Sequence, residues 1–447
     1  MTRRIALASM IGTTIEFYDF YVYAAAAVTV FPHLFFPQGN PTVALLASLA
    51  TFGLAFVARP VGSVLFGHFG DRLGRKTTLV ASLLVMGVAT FAIGVLPTYH
   101  QIGLLAPVLL AVLRFSQGVA LGGEWSGAAL LATENAKPGQ RAMAGMWPQL
   151  GAPLGFLLAT VMFLILLHSL GPAADGQDGP FLAWGWRIPF LLSVVMVGVG
   201  LYVRLRLNET PVFAQAVESG QRVSAPIAEV FRGNWRQLII GTLVMVATYT
   251  LFYTVTTWTL SYGTTKRPPA GTGLGYSYAE FLGLQAIAVL FFMAVLPLTG
   301  ALADRYGRRP VLLVFTSGIV LYGTTFGAFL KPDSSTGAVL AFLIVGMALM
   351  GLSFGPMSAV LPELFPPNVR YTGSGVSYNA ASILGAAVAP FIATWLATEH
   401  GVRWVGVYLS TAAACSFVAL LVMRETKDTA FGEVTIADHL GDALHPG

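Results

Sequence analysis

Apolar runs of about 20 residues, each long enough to cross a bilayer as a helix, recur from one end of this 447-residue sequence to the other. Only 10% of the residues are charged, against about 25% in an average soluble domain, which excludes a water-soluble globular protein. In lipid a spanning backbone must satisfy its own hydrogen bonds, which leaves helices or a closed barrel. Barrel strands alternate in hydrophobicity, whereas Val80 to Leu96 is apolar at every register, so the class is polytopic α-helical. The one cysteine, Cys415, lies in an apolar run and reads as core filling; it permits no intramolecular disulfide.

Cutting at charged and Pro/Gly-rich breaks gives twelve spans, roughly 5–30, 43–67, 78–96, 104–132, 143–168, 187–205, 237–262, 278–302, 310–330, 337–361, 372–397 and 404–423. An even number puts both termini on one face. Eighteen Lys and Arg fall on that face and five on the other, a bias that places the termini in the cytoplasm. The formal charge of +5 is thereby explained without nucleic acid. The run after Arg3 and Arg4 is too long for a signal peptide and contains Glu16 and Asp19, so it reads as the first span. The longest polar interruption divides the chain into a six-helix bundle over 1–205, a cytoplasmic loop over 206–236, a second bundle over 237–423 and a cytoplasmic tail over 424–447.

The halves repeat. Gly67-His68-Phe69-Gly70-Asp71-Arg72-Leu73-Gly74-Arg75-Lys76 returns 233 residues on as Gly300-Ala301-Leu302-Ala303-Asp304-Arg305-Tyr306-Gly307-Arg308-Arg309. Each copy follows the second span of its half. A fainter pair follows each fourth span, Glu134 with Arg141 and Glu363 with Arg370, both spaced by seven residues. Glycine at the helix end and before the basic pair permits a tight reversal, and the Asp and Arg of the turn can bridge to the neighbouring Glu and Arg. Such a cluster of Asp71, Arg72, Arg75, Glu134, Arg141, Asp304, Arg305, Arg308, Glu363 and Arg370 would hold one conformation closed and break in another. Two six-span halves with matching loops are an architecture of transporters.

With these loops the chain resembles the major facilitator superfamily, and further motifs make it similar to the metabolite:proton symporter branch. They are Ile15-Glu16-Phe17-Tyr18-Asp19-Phe20, Arg59-Pro60-Val61-Gly62, Arg114-Phe115-Ser116-Gln117-Gly118, Gly122-Gly123-Glu124-Trp125, Gly185-Trp186-Arg187-Ile188-Pro189-Phe190 and Glu209-Thr210-Pro211. The second half matches through Pro362-Glu363-Leu364-Phe365 and Arg370-Tyr371-Thr372-Gly373. The resemblance implies twelve helices in two pseudo-symmetric six-helix bundles, alternating access, a location in a bacterial inner membrane and function as a monomer. The Gly122-to-Trp125 and Ala129-to-Glu134 stretches are more similar to shikimate-type than to osmolyte carriers.

Ionisable groups inside a bilayer are functional candidates by default, and five lie within spans, all in the first half: Glu16, Asp19, Arg59, Arg114 and Glu124. Glu16 lies about 17 Å along the first span, near mid-depth, with Asp19 on the same face by i,i+3 spacing. Acids that close do not ionise independently, as a proton carrier requires. Proton coupling is therefore expected at Glu16, Asp19 and Glu124. Arg114, about 15 Å into its span, is the expected anchor for a carboxylate substrate, with Gln117 one turn on and Glu124 on the stripe of Gln117. Arg59, about 24 Å along its span, is expected to pair with Glu124 as a structural ion pair.

The second half offers neutral polar groups: Tyr249, Tyr253 and Thr256 or Thr257 on one helical face, Gln285 in the eighth span and Asn379 in the eleventh. Tyr249, Tyr253, Gln285 and Asn379 are expected to shape the substrate site opposite the charged half, while Trp258 and Tyr262 fit an interfacial belt. Gly118 with Gly122, and Gly151 with Gly155, are expected to bring helices close. No P-loop, Gly-x-Ser-x-Gly or His-Glu-x-x-His occurs, so neither ATP-driven pumping nor the common hydrolases are expected. The reading is not an enzyme but a carrier in the lipid bilayer that takes up a small organic acid with protons, needing no cofactor and no metal. The alternatives are a zwitterion carrier of the proline/betaine kind, where an aromatic cage would matter more than Arg114, and an antiporter; a channel or membrane enzyme lacks its expected residues.

Overall fold

The computed structural model describes residues 3–37, 41–73, 75–137, 139–171, 179–205, 226–269, 271–367 and 369–428. Twelve long helices run in chain order: α1 (Arg3–Thr29), α2 (Pro41–Leu73), α3 (Arg75–Gly94), α4 (Leu105–Glu134), α5 (Arg141–Leu170), α6 (Ile188–Leu205), α7 (Trp235–Thr264), α8 (Tyr278–Tyr306), α9 (Arg308–Gly323), α10 (Thr336–Glu363), α11 (Arg370–Glu399) and α12 (Val402–Val422). Ten of them are long and apolar enough to span by themselves. The other two are α1, which carries Glu16 and Asp19, and α9, only 16 residues long and opening on Arg308-Arg309. Among the described residues there is no strand.

Local chemistry sets the ends. The hydroxyl of Ser277 accepts from the Glu280 amide at 3.2 Å and the Glu280 carboxylate accepts from the Ser277 amide at 2.9 Å, a capping box that starts α8. Gly307, at φ 101°, makes the one-residue reversal from α8 to α9 that its place in the repeated loop foretells. Within the first bundle α1 packs on α5, α2 on α4 and α3 on α6; the second repeats this with α7 on α11, α8 on α10 and α9 on α12. The bundles meet symmetrically, α5 against α8 and α2 against α11.

The expected glycines lie at close helix crossings. A Cβ on Gly118 would come within 2.7 Å of Ala55 Cα, one on Gly122 would overlap the Arg59 carbonyl, and one on Gly155 would lie 2.6 Å from the Tyr18 amide. The repeat is also spatial. Gly300 faces the first turn of α5, where a Cβ would sit 3.1 Å from Met143 Cα, and Gly67 faces the first turn of α11, 3.0 Å from Thr372 Oγ1.

Two expectations fail. Cys415 is exposed on the outer side of α12 rather than filling a core, because the apolar solvent for that face is lipid. Trp258 and Tyr262 are buried within the protein, stacked on each other at 5.1 Å, and not in an interfacial belt. The reason is the position of α7, which is covered by neighbours on most sides.

Candidate functional site

Two polar side chains link the fully buried Arg114 to the fully buried Asp19. Arg114 Nη1 donates to Gln117 Oε1 at 3.0 Å, Gln117 Nε2 donates to Thr90 Oγ1 at 2.8 Å, and Thr90 Oγ1 donates to Asp19 Oδ2 at 2.9 Å. Every donor points from the cation toward the anion. Arg114 is held otherwise by rings, its guanidinium carbon 4.0 Å from the Tyr23 centroid, 4.6 Å from Phe20 and 5.1 Å from Phe52. Its Nε and Nη2, and Asp19 Oδ1, have no hydrogen-bond partner. Thr90, on α3, was not foreseen.

Glu16 and Glu124 belong to a second network. Both carboxylates contact Arg204 Nη2, Glu16 at 3.0 Å, while Arg204 Nη1 donates to the Leu79 carbonyl at 2.5 Å and Ser82 donates to Glu124 Oε2 at 2.8 Å. Space for the guanidinium comes from Gly12, where a Cβ would stand 2.6 Å from Arg204 Nη2. Thus Glu16 and Asp19 share a helix face but serve separate networks. The expected Arg59 to Glu124 pair is also wrong. Gly118 and Gly122 turn one face of α4 onto the α2 backbone, so Glu124, two residues beyond Gly122, points away toward α3 and α6. Arg204, in the last turn of α6, is one of the eighteen bases that the sequence assigns to the terminal face. Its signal was charge balance, since three intramembrane acids stood against two bases.

Arg59 lies instead on rings, 4.6 Å from the Phe56 centroid and 4.8 Å from Phe20, with Nε unpartnered. The Tyr253 ring packs on Phe56 at 5.2 Å, and its hydroxyl reaches Arg59. Beyond Tyr253 a narrow cavity of about 40 Å³ opens between the bundles, lined among others by Tyr21, Thr160, Tyr253, Thr256, Thr257 and Gln285. It lies on the side away from the termini, since its wall includes Val28 near the end of α1 and Tyr278 at the start of α8. The π-helical turn of α7 at Thr254–Trp258 frees backbone carbonyls, and Gln285 Nε2 donates to that of Thr256 at 2.7 Å. Of the four second-half residues expected at the site, Tyr253 and Gln285 line the cavity. Tyr249 lies one turn below, between Tyr253 and Tyr378. Asn379 instead donates to the Gly122 carbonyl of the opposite bundle at 2.9 Å.

Below the cavity the bundles are closed on the terminal face. Trp125 stacks on Tyr378 and donates to Gln149 at 3.0 Å, Gln149 donates to the Phe354 carbonyl at 2.7 Å, and the Tyr371 hydroxyl donates to the Gly123 carbonyl. Asp304 accepts from the Ala142 and Met143 amides at 3.0 and 2.9 Å, a carboxylate at the α5 N-terminus. Glu363 binds Arg308 at 3.0 Å within its own bundle and Arg141 of the other at 3.6 Å, and Thr426 donates to it at 2.7 Å. The expected bridging therefore holds for Asp304, Arg308, Glu363 and Arg141. Arg305 stays outside, exposed over Tyr306, and Arg370 Nε bonds the Pro362 and Phe365 carbonyls. Glu134 ends α4. The side chains of Asp71, Arg72 and Arg75 lie outside the described residues.

A family model described as sugar (and other) transporter matches residues 5–437. The chain belongs to this transporter family. The transporter is 52% identical over 424 residues to the inner membrane metabolite transport protein YhjE of Escherichia coli K12, covering 95% of this chain and 94% of that one. It is 36% identical over 432 residues to the shikimate transporter of Escherichia coli K12, covering 95% of each chain. Its fold matches the major facilitator proton:xylose symporter XylE bound to 6-bromo-6-deoxy-D-glucose, with a TM-score of 0.75 at 16% identity, over 96% of this chain and 97% of that one. It is a multi-pass membrane transporter, not an enzyme.

Proposed function

We propose that the protein imports a small organic acid together with protons by alternating access, acting as a single chain with its termini in the cytoplasm. The observation that carries this reading is the buried Arg114, which has two N–H groups to offer and meets Asp19 only through Gln117 and Thr90. A carboxylate arriving at Arg114 completes a charge-assisted pair that no protein acid supplies directly. A proton on Asp19 leaves the guanidinium charge to the substrate; without it, Asp19 competes through the relay. That competition couples the two fluxes. Glu16 and Glu124, two acids on one guanidinium, form a second group that carries an uncompensated negative charge unless a proton binds there. The identity with a protein named for shikimate, a carboxylate, supports the substrate class.

The test is uptake by right-side-out vesicles of labelled shikimate, 2-oxoglutarate, citrate, proline and betaine, with and without an imposed inward proton gradient. Carboxylate accumulation that collapses with a protonophore, and is lost in Asp19→Asn while exchange without a gradient persists, is the expected result. Full accumulation by Asp19→Asn removes Asp19 from the coupling. Accumulation of proline or betaine alone replaces the acid with a zwitterion.

A further inference from the structure

We infer that Arg59 is a second substrate-binding guanidinium, paired with Arg114 across the ring of Phe20, and that the site therefore fits an acid bearing two carboxylates. The inference rests on the reading of Arg114 as the carboxylate anchor. Arg59, on α2, and Arg114, on α4, lie 4.8 and 4.6 Å from the Phe20 centroid, so their separation cannot exceed those two distances together. Two cations this close and this dry demand an anion. None of the intramembrane acids supplies it to Arg59: Glu16 and Glu124 are taken by Arg204, and Asp19 is bonded to Thr90. Both guanidiniums keep buried donors unmatched, Nε on Arg59 and Nε and Nη2 on Arg114. What holds them is aromatic: Phe56 for Arg59, Tyr23 and Phe52 for Arg114, and Phe20 for both. Rings stabilise a cation without neutralising it, so the charge stays available to a ligand.

Tyr253 separates this pair from the cavity. It lines the cavity, packs on Phe56 at 5.2 Å and Phe20 at 6.4 Å, and reaches Arg59 with its hydroxyl. A rotation of its ring joins the cavity to both guanidiniums. The substrate's second carboxylate then takes the place of the hydroxyl on Arg59, and its hydroxylated or apolar body faces Thr256, Thr257 and Gln285.

The experiment compares KM in vesicles for 2-oxoglutarate and for 2-oxopentanoate, its counterpart with one carboxylate. Wild type is expected to prefer the dianion by about tenfold or more, as a charge-assisted bond to a buried partner implies. Arg59→Gln should raise the dianion KM by about that factor and leave the monoanion within about twofold, with Arg59→Lys intermediate. A purely structural Arg59 would move both acids together. Tyr253→Phe, which removes the competing hydroxyl, should lower the dianion KM alone, and it decides the matter if Arg59→Gln does not reach the membrane. Transport of the monoanion with no preference for the dianion, or equal losses for both acids in Arg59→Gln, overturns this inference and leaves the acid carrier standing. Uptake of neither acid overturns this inference, and it sinks the acid carrier as well only if shikimate and citrate are also refused.

Discussion

Trp125 of the first bundle lies flat on Tyr378 of the second, ring centroids 3.9 Å apart and planes 4° from parallel. The stack lies below the cavity, with Tyr253 and Tyr249 between them. Opening the terminal face must break it, together with the Asn379 to Gly122 bond.

An aromatic pair of this kind contributes about 0.5–1.5 kcal/mol beyond its buried area. Tyr378→Ala should therefore shift the equilibrium toward the terminal-open state by about two- to tenfold. Ser358, buried where α10 meets Gly145 of α5, provides the readout. In a Cys415→Ser background, alkylation of Ser358→Cys should be faster by that factor when Tyr378 is alanine; an unchanged rate removes the stack from the closure.

Asp304 and Glu363 contribute differently to the same closure. Asp304 caps the α5 N-terminus across the bundle interface, so Asp304→Ala should destabilise the closed state by about 1–2 kcal/mol and quicken the same alkylation without unfolding the protein. Glu363, whose side chain is fully buried like that of Arg308, is a different case. Glu363→Gln leaves Arg308 buried with only the neighbouring Asp304, 3.2 Å away, and should cost about 3 kcal/mol, seen as a lower melting temperature in detergent. Similar melting for both variants contradicts this division.

Glycines at helix crossings make a third prediction. Gly122→Ala places a methyl group on the Arg59 carbonyl and Gly62→Ala one on that of Val119, backbone against backbone, so each should cost about 1–3 kcal/mol or more by forcing α2 from α4. Gly53 on the same helix α2 has open space around its Cβ position, and Gly53→Ala should be neutral or slightly stabilising. Thermal stability of the three variants in detergent checks this, and a destabilised Gly53→Ala alongside a stable Gly122→Ala contradicts it.

Much of this architecture is legible in the sequence because its determinants are local or repeated. Span length, the offset between Asp71 and Asp304, and the spacing of Gly118 and Gly122 each state a physical requirement along one stretch of chain. What failed was the choice of partner between helices. Depth along a span can be counted at a fixed rise per residue, and that put Arg59 and Glu124 at compatible levels. The rotation of one helix against another depends on which face its glycines occupy, and Gly122 turned Glu124 away from Arg59. Arg204 was missed because a base in the last turn of a span resembles the solvated bases just beyond it; only the unmatched third acid spoke for its burial.

That third acid gives the last prediction. Arg204 serves both Glu16 and Glu124, so Arg204→Gln removes the one cation from a buried pair of acids, and it should cost about 3–5 kcal/mol of stability if both acids stay charged. Adding Glu124→Gln removes one of the charges left behind and lets Ser82 and the new amide satisfy each other. The double variant should therefore be more stable than Arg204→Gln alone, with a coupling of about 1–3 kcal/mol in a double-mutant cycle. Adding Asp19→Asn instead should give no such rescue, because Asp19 is bonded to Thr90 and not to Arg204. Melting temperatures of the two double variants decide between the networks: equal rescue by Glu124→Gln and Asp19→Asn would mean that the three acids act as one group.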